Sequence, residues 1–245
     1  MMRVRIFSSA DAVARALARH VAGALRSEPA LVLGLPTGRT PIPLYRELAR
    51  LHRAGRADFS RATTFNLDEF LGLDARDPRS YRAFMQRRLF DHVNLQPRRI
   101  HFLDGTARDV ARECDRYERA IDRAGGIDLQ LLGLGTNGHI GFNEPGRALF
   151  ARTHCARLKP VSRRANAPLF GNRLAAVPRE ALSVGMATIL HAKRIVLLAT
   201  GATKARCVER MINGPLTPRL PASLLQLHQN AEVWLDRRAA RNLEL

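Results

Sequence analysis

Residues 131–146 read Leu-Leu-Gly-Leu-Gly-Thr-Asn-Gly-His-Ile-Gly-Phe-Asn-Glu-Pro-Gly, an apolar run that breaks into glycines and then presents Asn137, His139 and Glu144. An imidazole can exchange a proton near neutral pH, and the partner on one ring nitrogen decides what the other can do. Asn137 and Glu144 are close enough in sequence to supply that partner. A histidine so oriented suits the opening of a cyclic hemiacetal, in which a proton moves between the anomeric hydroxyl and the ring oxygen. Residues 63–70, Thr-Thr-Phe-Asn-Leu-Asp-Glu-Phe, place two carboxylates, Asp68 and Glu69, at the end of another apolar run. A carboxyl in a partly dry pocket has its pKa lifted toward neutrality, which makes it a usable general base. Capping of the next turn, or pairing with an arginine, is the competing use of either group.

Two further segments carry donors for an anion. Residues 34–40, Gly-Leu-Pro-Thr-Gly-Arg-Thr, lie between an apolar run and a helical pattern. The first N–H groups of a helix lack partners and favour a phosphate. The Gly38 turn, the hydroxyls of Thr37 and Thr40 and the fork of Arg39 add to that setting. The spacing matches neither of the common glycine-rich nucleotide loops, so a small phosphate ester fits better than a nucleotide. Residues 201–204, Gly-Ala-Thr-Lys, form another such junction, from which Lys204 reaches toward a phosphate or, alternatively, stays in solvent.

The elements that must position these groups follow from hydrophobic periodicity. Strands are expected at 4–7, 30–35, 63–67, 127–132, 195–199 and 232–235. Helices are expected at 11–25, 41–52, 81–90, 110–124 and 203–211. Alternation of the two types predicts an α/β fold, a doubly wound, mostly parallel sheet flanked by helices and Rossmann-like in its layers. No internal repeat or linker divides residues 1–245, so a single domain is expected. The irregular stretch 147–182, rich in Arg, Ala and Pro, is a candidate lid over the site.

Composition narrows the classes. The hydrophobic fraction of 46% suits a substantial core, and no apolar run approaches the ~20 residues that span a bilayer. No secretory signal is evident at the start. Three scattered cysteines without a paired motif argue against a disulfide framework or zinc site and for the cytoplasm. The net charge of +18 invites nucleic acid, yet the arginines are spread along the whole chain and aromatics are only 6%. A basic surface also concentrates phosphorylated small molecules, and that is the expected partner, with no nucleic acid and no membrane. No metal-ligand set and no serine nucleophile elbow is present, so neither metal nor cofactor is expected. Monomer and homo-oligomer are both compatible with the sequence.

These strings resemble the glucosamine-6-phosphate deaminase (isomerase) family over nearly the whole chain. The resemblance rests on residues 33–38 with Thr40-Pro41, on 65–70, on Ser80-Tyr81, on 138–146 and on 225–228. It implies a metal-free conversion of glucosamine 6-phosphate and water to fructose 6-phosphate and ammonia, in amino-sugar catabolism. By that analogy His139 opens the pyranose, aided by Asn137 and Glu144. Asp68 moves the proton from the amine-bearing carbon to its neighbour. The same wider superfamily contains lactonases of 6-phosphogluconate and sugar-sensing regulatory domains. Action on another hexose phosphate is therefore one alternative, and a non-catalytic sensor is another. The presence of Asp68, His139 and Glu144 weighs against the sensor.

Three positions depart from the family pattern. Asn137 is Asp in some members, and an amide stabilises imidazolium less than a carboxylate does. Many members carry a phosphate-binding arginine where this chain has Pro168, and Arg39, Arg163 or Arg164 is the expected replacement. His154 and Ala156 occupy the positions of an Arg and a Lys that bind N-acetylglucosamine 6-phosphate in allosteric members. No activation by that effector is expected.

Overall fold

The computed structural model describes residues 2–244. Seven parallel strands form the main sheet: β1 (Arg3–Phe7), β2 (Val32–Leu35), β3 (Thr63–Asn66), β5 (Ile100–His101), β6 (Leu129–Gly133), β9 (Arg194–Ala199) and β10 (Ala231–Asp236). Their order is β1-β10-β9-β6-β2-β3-β5. From β2 the chain winds outward through β3 and β5, and then returns to the opposite side of β2 to lay down β6. The winding direction thus reverses between β2 and β6, and in open α/β sheets ligands bind at the carboxyl ends of strands at such a reversal.

Alternation along the strands divides the interior into two cores, one on each face. Leu33, Leu35, Leu129, Leu131, Val196, Leu198 and Trp234 pack with helices α1 (Ala10–Ser27), α2 (Ile42–Arg53) and α3 (Tyr81–Arg88). Leu132, Ile195, Leu197, Val233 and Leu235 pack with α4 (Val110–Arg123), α6 (Met186–Leu190) and α7 (Ala205–Asn213). Helix α1 shows the local logic. The Ser9 hydroxyl accepts the Ala12 N–H at 3.2 Å, which satisfies a donor the helix cannot. Val13, Leu17, Val21 and Leu25 then fall on one stripe and are fully buried. At the winding reversal β2 and β6 lie so close that a Cβ on Gly34 would overlap the Gln130 side chain.

The expected strand over 63–67 is shorter and is followed by a second one. After Leu67 the chain leaves the main sheet, and β4 (Asp68–Phe70) joins a small antiparallel sheet with β8 (Glu180–Ser183) and β7 (His154–Arg157), in the order β4-β8-β7. Both Leu67 backbone groups are used in the crossing. Its N–H donates to Leu35 O at 3.2 Å and its carbonyl accepts the Val184 N–H at 2.8 Å. Stretch 147–182, expected as irregular, contains β7, helix α5 (Pro160–Asn166), two 3-10 turns (Ala167–Phe170 and Leu174–Ala176) and most of β8. The buried Glu118 of α4 anchors its near end by accepting the Thr153 N–H at 2.6 Å and the Thr188 hydroxyl at 2.9 Å.

Candidate functional site

Four loops leave the carboxyl ends of the adjacent strands β9, β6, β2 and β3, and each carries a group singled out from the sequence. Asp68 opens β4, two residues past the end of β3, and is only 6% exposed. Burial lifts its carboxyl from 3.8 to about 7, with the adjacent Glu69 carboxylate adding and a hydrogen bond from Thr37 opposing. That bond runs from Thr37 Oγ1 to Asp68 Oδ1 at 3.3 Å. The Thr37 hydroxyl, expected to face a phosphate, is therefore engaged with the carboxylate, because the β2 and β3 loops lie side by side.

Glu69 has a different assignment. Its Oε1 accepts the N–H groups of Phe70 (2.8 Å) and Tyr81 (2.9 Å), and its Oε2 accepts that of Arg82 (2.9 Å). The capping alternative thus holds for Glu69, which ties β4 to the start of α3. Asp68 is left as the carboxylate without a backbone duty among the described residues.

The glycine loop folds over the end of β6. Gly135 N–H donates to His139 O at 2.9 Å, Gly138 N–H donates to Gly135 O at 3.1 Å, and the His139 ring lies directly over Gly135. Asn137 makes no hydrogen bond to that ring among the described residues. Its Oδ1 accepts the His139 backbone N–H at 3.2 Å and its Nδ2 donates to Glu144 Oε2 at 2.9 Å. It fixes the loop and the carboxylate, and the imidazole is approached by others. Glu144 Oε2 lies 3.8 Å from His139 Nδ1. The Ser162 hydroxyl of α5 lies nearer, at 3.3 Å from the same nitrogen. Burial holds the His139 pKa below its ordinary value, with Glu144 opposing and Lys204 reinforcing. The imidazole is accordingly neutral at pH 7.

The glycine loop and Asp68 share a wall. Gly141, whose φ of 56° favours glycine, lies against Asp68: a Cβ there would stand 3.8 Å from Asp68 Oδ2 and 3.1 Å from Ser183 Oγ. The Ser183 hydroxyl, opposite Asp68 in the small sheet, accepts the Phe142 N–H at 3.0 Å. The Phe142 ring stacks on Tyr81 at 5.9 Å and stands 6.5 Å from the His139 ring. Tyr81 Oη donates to Asn166 Oδ1 at 2.9 Å, and Asn166 Nδ2 donates to the Ser162 carbonyl at 3.0 Å. Ser162 and Asn166 escaped sequence reasoning as site residues. They sit in the irregular stretch, far along the chain from His139, and local pattern carries no signal of that contact.

The anion-binding candidates are placed less uniformly. Gly38 has φ of 99°, a left-handed turn that suits glycine, and Thr40 is half-buried just before α2. Arg39 is exposed, and its charge helps to depress the pKa of the half-buried Lys204, below the effect of burial itself. Neither Arg39 nor Lys204 forms an ion pair with a carboxylate among the described residues. Lys204 Nζ also donates to Leu134 O at 2.6 Å, at the end of β6. Pro168 is exposed in its 3-10 turn. Of the proposed replacements for an arginine there, Arg163 is committed to the carbonyls of Leu174 (2.7 Å) and Val177 (2.9 Å). Arg164 is exposed. Of the three, Arg39 is the one whose charge acts on Lys204.

Polar loops gathered over a winding reversal define a member of the broad class of α/β proteins that hold small ligands at the strand ends. Comparison with known proteins narrows this. The chain belongs to the family described as glucosamine-6-phosphate isomerases/6-phosphogluconolactonase, whose profile it matches over residues 7–234. It is 47% identical over 239 residues to a glucosamine-6-phosphate deaminase of Halothermothrix orenii, covering 98% of this chain and 99% of the relative. It is 43% identical over 244 residues to the glucosamine-6-phosphate deaminase of Clostridium botulinum, covering 100% of both. The solved structure of a monomeric glucosamine-6-phosphate deaminase superposes with a TM-score of 0.95 at 42% identity, covering 98% of this chain and 99% of that one. A 6-phosphogluconolactonase from Trypanosoma cruzi, at 19% identity and a TM-score of 0.78, shares the fold.

Proposed function

We propose that the chain converts glucosamine 6-phosphate and water to fructose 6-phosphate and ammonia. The observation that carries this reading is the pairing of a buried carboxylate of raised pKa, Asp68, with the neutral His139 across one glycine loop. Arg39 and Lys204, with the Gly38 and Thr40 backbone at the approach to α2, bind the phosphoryl end. Their unpaired like charges call for an anion. His139, with Glu144 behind it and Asn137 holding both, takes the proton of the anomeric hydroxyl and returns one to the ring oxygen, which opens the pyranose. Asp68 then takes the proton from the amine-bearing carbon and delivers it to the neighbouring carbon, giving a ketimine. A proton passes from the amine to the former aldehyde oxygen in the same step, water then adds to the amine-bearing carbon, now the C=N carbon, and ammonia leaves with the ketone in its place. A base of pKa about 7 is substantially ionised and still basic at physiological pH, the condition that makes proton abstraction efficient. Stretch 147–182 is the lid of this site, since α5 brings Ser162 against His139.

The test is ammonia release from glucosamine 6-phosphate, run beside galactosamine 6-phosphate and 6-phosphogluconolactone. Ammonia from the first, with lactone hydrolysis at background, is the expected outcome. Pro168 favours one second reading, action on a different hexose phosphate, because the family's arginine is absent there. Faster turnover of galactosamine 6-phosphate would establish it. Binding of these sugars without turnover of any would point instead to a sensor.

A further inference from the structure

Helix α5 belongs to the excursion rather than to the strand-end loops, yet its first turn meets both members of the imidazole-carboxylate pair. The Lys159 N–H, at the head of the helix, donates to Glu144 Oε1 at 3.1 Å. Three positions on, the Ser162 side chain is 1% exposed and holds its oxygen 3.3 Å from His139 Nδ1. We propose that Ser162 is a positioning residue that fixes the tautomer of His139, accepting a hydrogen bond from Nδ1–H and so leaving the Nε2 lone pair to face the sugar. This rests on the deaminase reading above and adds to it a residue outside the strand-end loops.

The direction of the bond follows from what surrounds Nδ1. Two acceptors lie on that side of the ring, the Ser162 oxygen at 3.3 Å and Glu144 Oε2 at 3.8 Å. A lone pair on Nδ1 would point at a carboxylate, whereas a proton there satisfies both. Glu144 by itself is beyond hydrogen-bond distance and biases the proton by charge alone. Ser162 supplies the directional contact. It is in turn held from behind, since its carbonyl accepts Asn166 Nδ2 and Asn166 Oδ1 accepts the Tyr81 hydroxyl. Tyr81 N–H is bound by Glu69, the residue next to Asp68. The orientation of the imidazole is thereby referred through α5 to the loop that carries the carboxylate base. Displacement of α5 would remove the contact and leave the histidine free to exchange tautomers.

The experiment uses the full chain labelled with 15N-histidine, with the His139 signals identified by their loss in His139→Gln. At pH 8 the wild type is expected to show a protonated Nδ1 and an unprotonated Nε2. Ser162→Ala should populate the Nε2–H form, and Ser162→Thr, which keeps the hydroxyl, should restore the wild-type pattern. In kinetics Ser162→Ala should lower kcat on glucosamine 6-phosphate about 5- to 10-fold, the size of one lost hydrogen bond, with KM little changed. On an analogue lacking the ring-forming O5, which cannot close a pyranose, the variant should match wild type. An Nε2–H tautomer in the wild type, an unchanged tautomer in Ser162→Ala, or an equal loss on both substrates would overturn the proposal. Wild-type protein that releases no ammonia would instead overturn the deaminase reading, while the NMR arm still decides what Ser162 does.

Discussion

Asp68→Asn separates the chemistry of the carboxylate from its cost to the fold. The carboxyl is raised from 3.8 to about 7, with burial as the main cause. Its folded pKa lies above its unfolded one, so the native state holds a proton that the unfolded state releases. Stability is therefore greatest below the unfolded pKa and is lost as pH rises through the folded one. At ~1.4 kcal/mol per tenfold, the full displacement amounts to about 4 kcal/mol above pH 7 and to less than half of that at pH 5. Asparagine has nearly the same shape, carries no charge, and keeps an oxygen to accept the Thr37 hydroxyl. The variant should thus lose ammonia release by at least 1000-fold or so, as removal of a general base commonly does, and yet unfold later in urea. With relaxation around the site taken into account, a gain of about 2–4 kcal/mol is expected at pH 8, shrinking toward pH 5. Urea titrations of both proteins at pH 5 and pH 8 give the comparison. An Asp68→Asn variant no more stable than wild type at pH 8, or a gain that does not depend on pH, would refute the claim that the charge is held at a cost.

Three further outcomes follow from the site. Arg39→Ala should raise KM for glucosamine 6-phosphate about tenfold or more with a smaller effect on kcat, as expected for loss of a charge-assisted phosphate contact; steady-state kinetics at fixed ionic strength read this, and an unchanged KM would remove Arg39 from the phosphate site. Gly135→Ala would place a Cβ 2.5 Å from His139 Nδ1, so it should displace the ring and suppress turnover while the circular dichroism spectrum stays native; wild-type kcat in this variant would mean that the ring position does not matter. N-acetylglucosamine 6-phosphate should leave the substrate curve unchanged, because His154 stands where the effector's cations are expected and its ring instead stacks on Phe150 at 4.4 Å. A sigmoidal curve made hyperbolic by that sugar would contradict this.

Six of the seven main strands were legible as apolar runs, because a two-faced core leaves that pattern whatever the strand order, whereas β5, only two residues long, carries too little pattern to be read. The end of the strand near Leu67 was expected, but the second strand β4 that follows it was not, since only its partner β8, more than a hundred residues on, makes 68–70 a strand. Strands β7 and β8 and helix α5 stayed hidden for another reason. His154–Arg157 has a mixed burial pattern and α5 is only 7 residues long, too short for periodicity to speak. Among site residues, Asp68, His139 and Glu144 could be named from type and spacing. The split between Asp68 and Glu69 could not, because it depends on the Tyr81 and Arg82 N–H groups a dozen residues on. Asn137 was placed correctly in the loop, but its contacts go to backbone and to Glu144.

The single residue between β3 and β4 has a consequence for how such a protein can diversify. Leu67 is bonded on both sides, so no insertion or deletion at that point can retune where Asp68 sits without unzipping two sheets. The chain between β7 and β8 is tied to the site through Lys159, Ser162 and Asn166, whereas residues 171–175 are exposed and tolerate changes of length and sequence. Lineages that adopt new sugars should accordingly vary residues 171–175 and inherit the proton-handling frame intact, which makes that span the first target for directed evolution of selectivity.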